Sequence, residues 1–337
     1  MEILGLLYDG FLIALQPLNI TVVIIGVVVG LFIGAMPGLG SVNGVAILLP
    51  MTFLVPPTSA IIFLAALYYG AMYGGAISSI MLGIPGASTA VATTFDGRPL
   101  ALKGLADKAL ITAAVASFIG GTVSVILFTG FAPPLAQIAL DFGDHEIFAL
   151  MLVAFATFVG LSGDDIPKTI FSICIGLVFS AVGLDIMSGE PRLVFFDIIG
   201  FMHGINFLVL AIGIYGIGEM MWTIENNRGD SAMSKAVLTL NGFMDSIRDI
   251  GRTWIAWTTG SFLGFFVGIL PAAGATPGSL MAYGVAKMTS KNSDNFGKGE
   301  VAGVVAPESA NNSASTGALL PMLTLGIPGS PTTAILL

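Results

Sequence analysis

Four stretches place hydrogen-bonding side chains directly behind a proline- or glycine-rich break in apolar sequence. In "PGLGSVNG" the break holds Pro37, Gly38 and Gly40, and Ser41 and Asn43 follow it. In "GIPGAST" Gly86 precedes Ser88 and Thr89. "PAAGATPGS" supplies Gly274, Thr276 and Ser279, and a second "GIPG" supplies Gly329 ahead of Ser330, Thr332 and Thr333. Upstream of that last break, "PESANNSASTG" carries Glu308, Asn311, Asn312, Ser313, Ser315 and Thr316, the most polar stretch in any apolar region of the chain. Neutral donors of this kind suit an anion, and a helix that restarts after a break turns its N–H groups and positive dipole end toward one. Carbonyls freed at the breaks, with Ser and Thr hydroxyls, suit Na⁺. Glu308 is the candidate residue for a coupling ion: it either carries a proton or stands at the membrane edge as a helix-start residue behind Pro307.

The rest of the chain explains why such groups would be placed there. Of its 337 residues, 55% are hydrophobic and only 9% charged, with a mean hydropathy of +0.95, whereas a soluble domain carries roughly 25% charged residues. A polytopic membrane protein bathed in lipid is expected, and the 44 glycines fit close helix crossings. The N-terminus has no basic region or small-residue cleavage site, so no signal peptide is expected. The net charge of −8 sits in loops and points to no nucleic-acid partner. Cys174 reads as core packing, and His145 and His203 have no metal-ligand spacing, so neither a metal nor an organic cofactor is expected. "GLSG" at 160–163 raises an intramembrane serine protease, but Ser162 and His203 fall at opposite ends of their spans and no enzyme is expected.

A spanning helix needs about 20 apolar residues. Residues 109–131, 146–162, 168–184 and 204–222 read as spans of a middle block, 109–222. Residues 1–97 hold no Lys or Arg; the basic clusters are Arg98, Lys103 and Lys108, then Arg228, Lys235, Arg248 and Arg252, then Lys287, Lys291 and Lys298. Cytoplasmic loops collect such residues, which makes all three clusters cytoplasmic, with a loop over 223–251. Ahead of the middle block, 1–108 holds a hairpin at 18–54 and a broken helix at 60–94, with 1–17 as an interfacial helix. After it, 252–337 holds a re-entrant hairpin at 252–288 and a broken helix at 307–337. The apolar run at the C-terminus leads us to expect a longer parent chain.

The two flanking units match. "GLFIGAMPGLGSVNG" at 30–44 aligns with "GFFVGILPAAGATPG" at 264–278, pairing Gly30 with Gly264, Gly34 with Gly268, Pro37 with Pro271, Gly40 with Gly274 and Gly44 with Gly278. "LGIPG" at 82–86 recurs at 325–329, and Thr89 matches Thr332. With the charge pattern, the copies enter the membrane from opposite sides. The expected fold is an all-α polytopic membrane protein of inverted-topology repeats, with re-entrant hairpins and broken transmembrane helices. Secondary transporters carry this signature, with a midplane site at the breaks. Freed backbone there must be buried or line a cavity, since lipid cannot satisfy it. A channel with glycine-bearing re-entrant loops is the alternative.

The motifs "GAMPGLGSVNGVAILLPMTF", "YGGAISSIMLGIPG", "TTFDGRPLALKG" and "VAPESANNSASTGALLPMLTLGIPGSPTTAILL" closely resemble the large membrane subunit of the tripartite tricarboxylate transporters, the TctA family. The resemblance implies a bacterial inner-membrane carrier that imports carboxylates such as citrate on a cation gradient. It also implies two partners, a small membrane subunit and a periplasmic solute-binding protein, and a parent chain longer than this one.

Overall fold

The computed structural model describes residues 2–36, 39–140, 166–185, 190–194, 199–205, 240–271 and 273–337, with single positions between 143 and 225. Helix α1, Glu2–Ala14, leads into α2, Pro17–Ala35, which opens on a proline where a missing N–H costs nothing. Helix α3, Gly40–Leu48, runs on as a 3₁₀ turn to Leu54. Helix α4, Pro57–Leu82, is followed by a 3₁₀ turn, Ser88–Ala90, and α5, Val91–Leu102. Next come α6, Ala106–Leu140, and α7, Ile166–Ser180. A ladder pairs β1, Gly183–Leu184, with β2, Pro191–Arg192. The chain then forms α8, Leu240–Arg252; α9, Trp254–Ile269; α10, Ala275–Thr289; α11, Ala302–Leu325; and α12, Pro331–Leu336. Helices α4 and α11 both end on a left-handed glycine, Gly83 at φ 74° and Gly326 at φ 69°.

Among the described residues, three helices are long and apolar enough to cross a membrane: Pro17–Ala35, Pro57–Leu82 and Ala106–Gln137. Among the described residues the architecture is that of an all-α membrane protein apart from a two-residue ladder. Its packing rests on backbone contact. A Cβ on Gly26 would stand 2.7 Å from the Phe63 carbonyl oxygen, and one on Gly30 or Gly34 would overlap the carbonyls of Leu67 or Ala71, so α2 lies directly on α4. The same holds between α9 and α11, where Gly260 faces the Ala306 oxygen at 2.6 Å and Gly264 and Gly268 abut Ala310 and Ala314. Glycines four residues apart share one helix face, and in lipid this close fit supplies the association energy that water would otherwise provide.

Helix α11 is the centre of the molecule, buried from Ala302 to Ala318 and packed by α5, α6, α9 and α10. Its surroundings are alanine-rich: Ala116, Ala282, Ala306 and Ala310 on one side, and Ala76, Ala109, Ala113 and Val304 on another.

Several expectations are corrected. The broken helix expected to end at 94 runs on to Leu102, because Arg98 Nη1 donates to the Met81 carbonyl at 2.5 Å and folds α5 back along the end of α4. Helix α11 starts at Ala302, not beside Pro307, because Asp96 fixes the chain entering it; Glu308 is therefore a helix-interior residue. The loop expected over 223–251 includes α8, held to α6 by Lys108 and Asp249 at 2.5 Å. The span expected over 168–184 ends at Ser180, since Gly183 and Leu184 pair with β2, beside an ion pair of Arg192 with Asp185 at 2.5 Å. Cys174 is exposed, since α7 carries no buried residue among those described. Pro37, Gly38, Ser162 and the His203 side chain lie outside the described residues, as do the 146–162 and 204–222 spans but for single positions.

Gly264→Ala is expected to destabilise the protein by about 1–3 kcal/mol, as overpacking does. Gly121→Ala, where a Cβ meets nothing within 4 Å, is expected not to. Melting temperatures of the two variants in detergent check this.

Candidate functional site

Four helix starts meet around one cavity of about 190 Å³. Its wall is made by 39–43 at the start of α3, 86–89 at the 3₁₀ turn before α5, 273–276 at the start of α10, and 330–332 at the start of α12. Tyr68 and Met72 of α4 close it from the side. The breaks sit there because each "GIPG" glycine presses on the end of the preceding glycine row. A Cβ on Gly86 would overlap the Gly34 carbonyl, and one on Gly329 would stand 2.7 Å from the Gly268 oxygen.

The four starts are cross-linked by hydroxyls. Ser41 Oγ and Thr332 Oγ1 share a hydrogen bond of 2.9 Å, and Ser88 Oγ and Thr276 Oγ1 one of 3.0 Å. Ser279 Oγ donates to the Thr89 carbonyl at 2.9 Å, and the Gly274 N–H donates to the Gly329 carbonyl at 2.9 Å. The Tyr68 hydroxyl stands 3.4 Å from Ser330 Oγ. Each hairpin tip thus touches the break of the other unit. Helix α12 is closed by a capping box, in which Ser330 Oγ accepts from the Thr333 N–H and Thr333 Oγ1 accepts from the Ser330 N–H. Helices α3 and α10 and the 88–90 turn have no side-chain cap, so their first N–H groups are available to a ligand. None of the described lining residues is charged.

Of the residues singled out from sequence, Gly40, Ser41, Asn43, Gly86, Ser88, Thr89, Gly274, Thr276, Ser330 and Thr332 line this cavity. Ser279, Gly329 and Thr333 stand directly behind the wall through the bonds just given. The α11 residues do not line it. Ser313 Oγ donates to the Ser261 carbonyl at 2.6 Å, tying α11 to α9. Asn312 Nδ2 donates to the Glu308 carbonyl at 3.2 Å and faces a separate groove beside Tyr69 and Tyr73. Asn311 is wholly buried, and neither polar atom of its side chain has a partner among the described residues. Glu308, also wholly buried, accepts from Thr93 Oγ1 at 2.5 Å and from Ser117 Oγ at 3.0 Å, joining α11 to α5 and α6.

Sequence reasoning missed two features. Tyr68 lies in an apolar helix far from any break, and nothing local marks its hydroxyl. Asp96 is a second wholly buried carboxylate. Its Oδ1 accepts from the N–H groups of Gly297, Gly299 and Glu300 at 2.9, 2.7 and 2.7 Å, and its Oδ2 from the Tyr283 hydroxyl at 2.9 Å. The one available signal was an acidic residue with no basic residue upstream of it, inside an otherwise loop-like "DGRP".

Asp96→Asn replaces an acceptor-only group with one that cannot satisfy all four donors. A hydrogen bond to a charged group contributes about 1.5–3 kcal/mol, so tryptic cleavage at Lys298 is expected to speed up by about tenfold or more. Timed digestion of the folded protein checks this.

Residues 20–337 match the model of the tripartite tricarboxylate transporter TctA family. An uncharacterised 52.8 kDa protein in the TAR-I ttuC′ 3′ region of Agrobacterium vitis is 37% identical over 336 residues, covering 100% of this chain and 66% of that protein. The chain thus spans just under two thirds of that relative's length. A second uncharacterised protein of the same organism, in the TAR-II ttuC′ 3′ region, is 45% identical over 73 residues, covering 22% of this chain and 30% of its own. No solved structure matches. With the family match running over almost its whole length, the chain belongs to the tripartite tricarboxylate transporter TctA family.

Proposed function

We propose that this chain forms part of the large membrane subunit of a secondary carrier that imports small carboxylates, of the di- and tricarboxylate class, across the bacterial inner membrane. The observation that carries the reading is the convergence of four helix starts, three without a side-chain cap, on one cavity with uncharged walls. A carboxylate is held there by backbone N–H groups, helix dipoles and hydroxyls, none of which binds it irreversibly. With no fixed cation among the described residues of its wall, the site takes up the anion together with a mobile one, Na⁺ or H⁺, and Glu308, buried in α11, is the candidate for a proton. The protein moves its substrate and does no covalent chemistry.

Residues 1–108 and 252–337 act as inverted repeats, each a re-entrant hairpin with a broken helix, on either side of 109–222. Supporting this, the glycine contacts of α2 on α4 recur between α9 and α11, and each hairpin tip bonds to the other unit's break. A periplasmic binding protein delivers the carboxylate, a small membrane subunit completes the complex, and movement of these units against the middle block exposes the site alternately to the two sides.

The test is uptake of radiolabelled citrate and other di- and tricarboxylates into proteoliposomes holding the full-length parent protein, its small subunit and its binding protein, with and without a Na⁺ gradient. Saturable accumulation above equilibrium is expected; flux that only equilibrates and never saturates would identify a channel instead. In the same assay Thr276→Val, which removes one cavity hydroxyl, is expected to raise KM by about fivefold, the value of a hydrogen bond of about 1 kcal/mol. Gly86→Val is expected to abolish uptake while leaving membrane insertion intact; wild-type uptake would overturn the site assignment.

A further inference from the structure

Helices α5 and α11 run antiparallel in a register that their contacts fix. Leu100 lies against Gly299, where a Cβ would stand 3.3 Å from it; Asp96 lies against Gly303; and Thr93 bonds to Glu308. The next turn of this register brings Thr89 opposite Asn311, and α11 touches the 88–90 turn itself. On α11, Asn311 falls between Glu308 and Ser315, which faces Tyr68 of α4, so it shares their side of the helix. Thr89 Oγ1 and both polar atoms of Asn311 are buried without a hydrogen-bond partner among the described residues. Burying an amide unpaired costs several kcal/mol in an apolar setting, and two such groups on touching elements call for a ligand that satisfies them.

The matching place in the other unit shows what a satisfied version looks like. The alignment that carries "LGIPG" at 82–86 onto 325–329 carries Thr89 onto Thr332 and Tyr68 onto Asn311. There Thr332 shares a hydrogen bond with Ser41, and the Tyr68 hydroxyl stands beside Ser330. The first-named pair has no such partners. Its electrostatic setting also selects the sign of the occupant. Glu308 lies one turn from Asn311, and its described side-chain partners are two neutral hydroxyls, from Thr93 and Ser117. A carboxyl in that position offers no positive charge to an anion, and binding of a cation beside it favours its ionised form.

We infer that Thr89 Oγ1 and Asn311 Oδ1 are two ligands of a sodium ion seated between the 88–90 turn and α11, at the edge of the cavity. Hard oxygen ligands without a full ring of carboxylates suit a monovalent cation. Thr89 also stands in the cavity wall, and its carbonyl holds Ser279 of α10. A cation there stiffens the wall and places positive charge beside a bound carboxylate; this coupling role rests on the carrier reading, whereas the ion site itself does not.

The test is the melting temperature of the purified full-length protein, in detergent and without substrate, titrated with NaCl at constant ionic strength against KCl and choline chloride. Wild type is expected to show a saturating rise specific to sodium. Thr89→Val and Asn311→Ala are expected to raise the sodium concentration for half the rise by about tenfold or more, while Thr89→Ser, which keeps the oxygen, restores it. A wild type indifferent to sodium, or a sodium rise unchanged in both variants, overturns the site. If Asn311→Ala fails to fold, the near-isosteric Thr89→Val still decides. Because no transport is read, sodium binding without carboxylate uptake in the proteoliposome assay would sink the carrier reading alone. Uptake without a sodium rise would sink this site alone.

Discussion

Two helices that meet backbone to backbone leave no room for a side chain between them, and the described part of this molecule depends on such meetings, two of them made by rows of three glycines. Gly26, Gly30 and Gly34 lay α2 on α4, and Gly260, Gly264 and Gly268 lay α9 on α11. The last glycine of each row does more than pack. Its carbonyl is the surface against which Gly86 or Gly329 rests, so the depth at which the helices are broken is set by the contact that holds them together. A helix crossing wide enough for alanines would move both breaks outward and open the cavity.

The polar stretch on α11 is held in place by being shared out. Ser313 turns to α9, Glu308 to α5 and α6, and Thr316 to Ser124 of α6 at 2.6 Å and to the Tyr69 hydroxyl of α4. Each neighbour offers a hydroxyl or a carbonyl, so a helix too polar to face lipid is stable when protein surrounds it. That is also why α11, although 24 residues long, is not among the helices apolar enough to be recognised as a span.

The breaks were legible in the sequence because proline and glycine interrupt a helix by local stereochemistry, which no distant residue needs to specify. The hydroxyls behind Gly40, Gly86 and Gly274 were legible for the same reason. What escaped depends on contacts far along the chain. "DGRP" has the composition of a turn, and only the α4 carbonyl that Arg98 reaches makes a helix of it. Pro307 has the look of a helix start, and only Asp96, two hundred residues earlier, moves that start to Ala302. Tyr68 is one aromatic residue among many until the opposite unit brings Ser330 to it.

The Asp96 clip bears on how the chain is made. Its carboxylate waits for the N–H of Glu300, 204 residues further on, and at about 5–20 residues per second that is about 10–40 s of synthesis. Until then α5 has its Arg98 bond to α4, but Asp96 and Thr93 lack the partners that residues 297–308 bring them. Assembly therefore has a late closing step, in which the arrival of 297–308 completes the contacts of α5 before 330–332 close the cavity wall. The middle block is the timer that separates the two events.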